Sequence, residues 1–264
     1  MRRWLAFGIG LVGHGLFLVI FAYMCGFVAN VLVPKSIDHP VRVGAMTPLN
    51  AALVDLALLV LFAVPHSVMA RPSFKRQWTR VVPQHLERSV YVLTSCVLMF
   101  LLLYYWQPID RIVWDLRQPW LRAIAWSAFA TGWLLVPLAS LMISHFDLFG
   151  TRQVWLNLRG QAYAHLPFHT PWLYSLVRHP LYVGWIIAFW ATPTMSVGHL
   201  LFAVTLTLYM LAAIPFEERN LIDAFGERYA RYRRDVPMLV PRVLPRWRRL
   251  AASEFDTESA LLER

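Results

Sequence analysis

Between Trp4 and Pro34 the chain carries no Asp, Glu, Lys or Arg. About 20 consecutive apolar residues suffice for a helix to cross a bilayer, so this stretch predicts a membrane span. Arg2 and Arg3 ahead of it resemble the charged start of a secretory signal, yet the run exceeds the roughly 7–15 residues of a signal core. Ala22-Tyr23-Met24-Cys25 also lacks the small residue that a lipoprotein cleavage site places before its Cys. An uncleaved first helix is expected. The composition agrees: 58% of residues are apolar and 15% charged, against roughly 25% charged in a soluble domain. Intrinsic disorder is excluded. A disulfide scaffold is excluded too, since the two cysteines, Cys25 and Cys96, each sit inside a long apolar run.

Three further apolar runs cover about 49–70, 89–106 and 123–145. A last one, Leu181 to Phe216, has no formal charge but is interrupted at Pro193 and Gly198. Thr192-Pro193-Thr194-Met195-Ser196-Val197-Gly198 reads as a turn between two helices. The expected fold is therefore all-α and integral to a membrane: four transmembrane helices plus a C-terminal helical hairpin, five to six spans in all.

The net charge of +10 would suggest nucleic acid in a soluble protein. Here topology accounts for it. With the N-terminus inside, the inner segments 1–3, 71–88, 147–180 and 217–264 hold 2, 5, 3 and 10 of the 25 Lys and Arg, 20 together. The outer loops keep Lys35, Arg42, Arg111, Arg117 and Arg122. That asymmetry follows the positive-inside rule and predicts cytoplasmic N- and C-termini in a bacterial-type inner membrane. The lipid bilayer is then the expected partner, with no nucleic acid and no protein partner.

On this topology 147–180 and the C-terminal segment flank the hairpin on one side of the membrane. Arg178-His179-Pro180-Leu181-Tyr182-Val183-Gly184 puts a cation and an imidazole at a helix start, where Pro180 suits the first turn and free N–H groups favour anions. A plain membrane-interface marker would look similar. Beyond the hairpin, Glu218, Leu221, Phe225, Tyr229 and Tyr232 are spaced 3, 4, 4 and 3 and share a face if the helix runs through Gly226. An acidic head followed by aromatic residues suits ribose hydroxyls and an adenine ring. The competing reading is an amphipathic helix on the membrane surface, with Arg228, Arg231, Arg233 and Arg234 toward headgroups. Glu217 and Glu218 side by side fit that poorly.

Taken together, Arg-His-Pro-x-Tyr-x-Gly, a hairpin, Glu-Glu-x-x-Leu and Phe-Gly-x-x-Tyr-x-x-Tyr, over about 174–237, resemble the cofactor site of the isoprenylcysteine carboxyl methyltransferase superfamily. His66-Ser67, Glu87-Arg88-Ser89 and His145-Phe146-Asp147-Leu148-Phe149-Gly150-x-Arg152-Gln153-Val154 resemble its branch containing methanethiol S-methyltransferases and NnrU-type proteins. The resemblance implies S-adenosylmethionine as cofactor in a cytoplasmic pocket and a small thiol as substrate. It implies binding residues Gln153, Tyr174, Arg178, His179, Pro180, Tyr182, Val183, Gly184, Glu217, Glu218, Leu221, Phe225, Tyr229 and Tyr232. Residues 1–146 would form the substrate side, 147–240 the cofactor-binding core, and 241–264 a basic tail. A prenylcysteine carboxylate or lipid amine as acceptor, and a non-catalytic membrane role in nitrogen-oxide metabolism, remain open alternatives.

Thiol methylation requires the thiolate, hence a base or a positive field. His66, His145 and Asp147 are the candidates; both histidines end spans that approach the cytoplasmic face. Ionisable groups at such depth cost roughly 2.5–3.5 kcal/mol on insertion scales. Asp147 would not share a face with His145 unless the helix ends there, as Gly150 suggests. Among the rest, Asp55 is expected to be structural and to snorkel to water, His14 to pack between close helices, and His199 to cap the hairpin turn. Trp106, Trp114, Trp120 and Trp172 are expected as interface anchors. His165 and His169 lack metal-ligand spacing, and no metal is expected.

Overall fold

The computed structural model describes residues 1–39 and 46–242; Arg42 and most of the expected tail lie outside them. Five helices are long and apolar enough to cross a membrane: α1 (Arg2–Ala29), α2 (Pro48–Met69), α4 (Gln84–Tyr105), α5 (Pro119–Ile143) and α10 (Val197–Phe225). Shorter ones are α3 (Pro72–Trp78), α6 (His145–Leu148), α7 (Thr151–Leu158), α8 (Trp172–Leu176), α9 (Pro180–Trp190) and α11 (Glu227–Asp235). The helix starts are written locally. Pro48, Pro72, Pro119 and Pro180 occupy first turns, where the missing N–H costs nothing. Thr47 and Ser196 accept from Asn50 N and His199 N as N-caps, at 3.3 and 3.0 Å.

The all-α expectation needs one addition. β1 (Ile112–Asp115) pairs antiparallel with β2 (Thr194–Ser196), setting Ile112 against Ser196 and Asp115 against Thr194. The hairpin formed by α9 and α10 thus touches the α4–α5 connection with its tip. Gly198 N and Val197 N donate to the Ile109 and Arg111 carbonyls. With 11 residues, α9 is about 16 Å long. His199, at the start of α10, reaches back to the Phe189 carbonyl at 2.9 Å and ties the hairpin together.

Lipid offers apolar side chains no reason to cluster, so helices in a bilayer associate through close backbone approach. Between α5 and α9 that approach runs through Gly132 and Gly184. A Cβ on Gly132 would lie 2.5 Å from Ala188 N, and one on Gly184 would lie 3.0 Å from the Gly132 carbonyl. Opposite the basic end, Trp106 packs edge to face with Phe27 and Phe202, and Phe189 with Phe202. Trp106 is fully buried there, which corrects its expected place at the lipid interface. Its burial follows from a helix end, not a helix face: α4 stops at Tyr105, and the turn aims the indole inward. Asp55 is corrected in the same region. It is fully buried and accepts from Gln107 N at 2.7 Å instead of snorkelling. The chain leaving α4 needs a buried acceptor.

Two helix boundaries also shift. The face proposed through Gly226 is broken, because α10 ends at Phe225 and Gly226 adopts φ 59°, ψ −137° before α11 begins. And α5 ends at Ile143, before His145.

Candidate functional site

Two groups of side chains gather at the basic end of the bundle. The first is a clasp around Glu218, whose side chain is 3% exposed. Arg178 Nε donates to Glu218 Oε1 at 2.6 Å, and His179 Nε2 lies 3.1 Å from the same oxygen. Arg233 Nε reaches Oε2 at 2.8 Å. Arg178 also donates to the carbonyls of Arg233 and Val236, while the backbone N–H groups of Arg178 and His179 donate to Pro237 and Met238. One carboxylate therefore joins the start of α9 and the last turn of α11 to the last third of α10. Arg233, placed with the lipid-facing arginines in the surface-helix reading, belongs to this clasp.

Around it, Tyr229 is buried, and Tyr232 donates to the Tyr174 carbonyl at 2.6 Å. Phe168 packs against Phe225, Tyr229 and Tyr232. Burial pushes the Tyr174, Tyr229 and Tyr232 hydroxyls well above the ordinary phenol range, so all three stay protonated donors. Pro180 is buried in the first turn of α9; Gly184 lies against α5, its open side taken by a helix backbone. Val183 and Leu221 are half-buried on the helices that the clasp joins.

The second group lines a cavity of about 390 Å³ between α1, α2, α4, α5, α9 and α10. Phe17, Phe21, Phe62, Phe149 and Trp185 give it aromatic walls, and polar side chains reach it from His66, Arg88, Tyr91, Ser95, Ser140, His145, Tyr182 and Tyr209. Tyr182 joins the two groups. Its hydroxyl donates to Glu217 Oε2 at 2.8 Å and its ring stacks on His179, while its flank faces the cavity.

Both candidate histidines reach this cavity. His66 stacks on Phe62 and hydrogen-bonds Ser95 Oγ at 2.9 Å and the Tyr91 hydroxyl at 2.9 Å. His145 sits between Ser140 Oγ, 2.8 Å from Nδ1, and His14 Nε2, 3.0 Å from its own Nε2. Burial pushes the His145 imidazole below its ordinary value, and the neighbouring His14 adds to the shift. Both effects favour the neutral imidazole, the form a base requires.

Asp147 does not join them. Its carboxylate pairs with Arg152 at 2.9 Å and accepts from Tyr163 at 3.2 Å. Gln153 is buried beside it, donating to the Asp147 carbonyl at 3.1 Å. The helix does end near His145, but its early end turns Asp147 away from the imidazole.

Sequence reasoning missed His14, Arg88, Tyr91 and Ser140 as site residues. One signal was present: Arg88, Tyr91 and Ser95 recur at 3 and 4 along α4 and so share a face. Nothing local links His14 to His145, 131 positions away.

Fold and cavity define a multi-pass helical membrane protein with its titratable groups collected at one end of an aromatic-walled chamber. The profile of the NnrU protein family matches residues 55–242, and the chain belongs to that family. It is 48% identical over 242 residues to the methanethiol S-methyltransferase of Mycobacterium tuberculosis (strain ATCC 25618 / H37Rv), covering 91% of this chain and 98% of that relative. It is 49% identical over 242 residues to methanethiol S-methyltransferase 2 of Bradyrhizobium diazoefficiens, covering 90% of each. Nurim of Pan troglodytes is 32% identical over 204 residues, 72% of this chain and 77% of that protein. No solved structure matches the chain.

Proposed function

We propose that this chain is an integral membrane methyltransferase that converts methanethiol to dimethyl sulfide with S-adenosylmethionine as methyl donor. The observation that carries this reading is the near-full-length similarity to relatives named for methanethiol methylation. The cavity chemistry agrees with it. Aromatic faces attract a sulfonium cation, and Phe17, Phe21, Tyr91 and Trp185 all line the chamber. Arg88 spends Nε on the Leu148 carbonyl at 2.7 Å; among the described residues its other N–H groups have no acceptor, which suits a carboxylate. S-adenosylmethionine, when bound there, would supply an electrophilic methyl group for the acceptor sulfur.

The chain's own residues then have three tasks. Arg178, His179, Glu218 and Arg233 fix the start of α9 against α11 and hold Tyr182 at the cavity edge. Tyr174, Phe225, Tyr229 and Tyr232, with Glu217 and Leu221, form the aromatic and acidic surround for the nucleoside, and Gln153, Pro180, Val183 and Gly184 support it. His145, with His66 across the cavity, removes or orients the thiol proton; Asp147 supports the α6 turn. Apolar walls exclude water and admit a small apolar thiol from the bilayer. The charge asymmetry supports placing this pocket at the cytoplasmic face. It likewise supports four spans plus a hairpin, whereas the division into an N-terminal substrate side at 1–146 and a cofactor core at 147–240 rests on the family resemblance alone.

Purified protein in detergent, given S-adenosylmethionine and methanethiol, should release dimethyl sulfide into the headspace. Cofactor binding without that product would redirect the reading to a larger acceptor. Neither binding nor product would favour a non-catalytic family member.

A further inference from the structure

His14 lies midway along α1 and is 9% exposed. Its Nδ1 is 2.9 Å from Thr151 Oγ1 and its Nε2 is 3.0 Å from His145 Nε2. His145 Nδ1 is 2.8 Å from Ser140 Oγ, which also lies 2.9 Å from the Pro137 carbonyl. Phe149 stacks on His14 at 5.4 Å and keeps both rings in an apolar setting. Four side chains therefore form one hydrogen-bonded line: Thr151, His14, His145, Ser140. Ser140 and His145 line the cavity, whereas His14 stands behind them.

Counting protons along this line restricts what it can do. A neutral imidazole has one donor and one acceptor nitrogen. When both rings are neutral, a single N–H lies between the two Nε2 atoms, and the line can point either way. If Ser140 donates to His145 Nδ1, then His145 Nε2–H donates to His14, and His14 Nδ1–H donates to Thr151. One added proton leaves every N–H satisfied: His145 donates to Ser140, His14 donates to Thr151, and one N–H is shared between the rings. A second added proton would set two N–H groups against each other at 3.0 Å.

We propose that His14 and His145 act as one base holding a single extra proton, loaded from the thiol through Ser140. This rests on the methyltransferase reading for its substrate. The thiol S–H bond breaks as its proton passes to Ser140 Oγ; the Ser140 proton moves to His145 Nδ1, and the thiolate keeps the electron pair. Ser140 touches the substrate, His145 accepts the proton, and His14 is a positioning residue that spreads the charge. The charged and titratable groups on the neighbouring elements are Arg88, His66, Tyr91, Cys96, Tyr182 and Tyr209 around the cavity and Asp147, which is tied to Arg152 and Tyr163. The neutral pair is the active form, so turnover is lost as pH falls through the value at which the pair loads. Paired sites of this kind titrate together, with macroscopic values belonging to the pair.

Ring-15N NMR of histidine-labelled protein between pH 8 and 5, assigned with His14→Asn and His145→Asn, reads the proton count directly. The expected result is a common midpoint for both rings and uptake of one proton by the pair. In His14→Asn the His145 midpoint should move, and the acid limb of kcat/KM should move with it. Turnover in His14→Asn should fall about 10–100-fold, at or below the low end of general-base effects, with cofactor affinity unchanged. Ser140→Ala should leave the NMR titration in place and lower kcat. Two independent midpoints, or an acid limb unmoved in His14→Asn, would overturn the proposal. If wild-type protein forms no dimethyl sulfide, the substrate reading fails while the NMR titration still decides whether the pair shares a proton.

Discussion

At the residue scale, Glu218 shows how one buried carboxylate can join three helices. Both its oxygens are engaged within the protein, by Arg178 and His179 on one side and Arg233 on the other. Removing one partner of a buried charge pair costs roughly 3–5 kcal/mol, because the remaining charges lose compensation. Arg233 is 50% exposed and can recover water, so Glu218→Ala is expected at about 3 kcal/mol. Tyr182→Phe loses only a hydroxyl whose acceptor, Glu217, is exposed, and about 1 kcal/mol is expected. Thermal unfolding in detergent, followed by tryptophan fluorescence, measures both. Equal melting temperatures for wild type and Glu218→Ala would remove the clasp from the stability of the fold. Because Glu218→Ala frees the start of α9, calorimetry should also show lost cofactor affinity.

Among the elements, the contact between α5 and α9 carries the site, since it brings Ser140 and Tyr182 to one cavity. Backbone, not side chains, forms its centre at Gly132 and Gly184. Gly132→Ala would set a Cβ 2.5 Å from Ala188 N and 2.9 Å from the Gly184 carbonyl, so the helices must part. Overpacking of this kind costs about 1–3 kcal/mol, and the cavity should widen with it, raising KM for a small thiol. Gly8→Ala supplies the contrast. Nothing lies within 4 Å of its added Cβ, and the better helix propensity of Ala should make that change neutral or stabilising by up to about 1 kcal/mol. A melting temperature lowered by Gly8→Ala as much as by Gly132→Ala would discount the close approach.

For the whole molecule, the arrangement of spans sets which loops meet which solvent. Cysteines introduced singly at Arg117 and at Arg159, in a Cys25→Ser, Cys96→Ser background, report it. A membrane-impermeant maleimide added to intact cells should label position 117 and leave position 159 until the membrane is opened. The opposite pattern would invert the topology and move the cavity mouth to the outer face.

Much of this protein was legible in its sequence because the relevant physics is local. Charge-free runs declare spans, and proline and serine or threonine declare helix starts. The segments 49–70, 89–106 and 123–145 became α2, α4 and α5 with ends moved by a few residues, and the Pro193–Gly198 break became the hairpin turn. Arg178, His179, Glu218 and Tyr229 were also identifiable as a group, since their motif is continuous apart from one hairpin. What tertiary structure alone decided was partnership across long separations: His14 with His145, Arg88 facing the same chamber, Arg233 on Glu218, and Trp106 and Asp55 inside rather than at an interface. A side chain's residue type limits the bonds that it can form. Which partner lies 3 Å away depends on how helices rotate and how closely glycines let them approach, and no residue's immediate neighbours in the chain determine that.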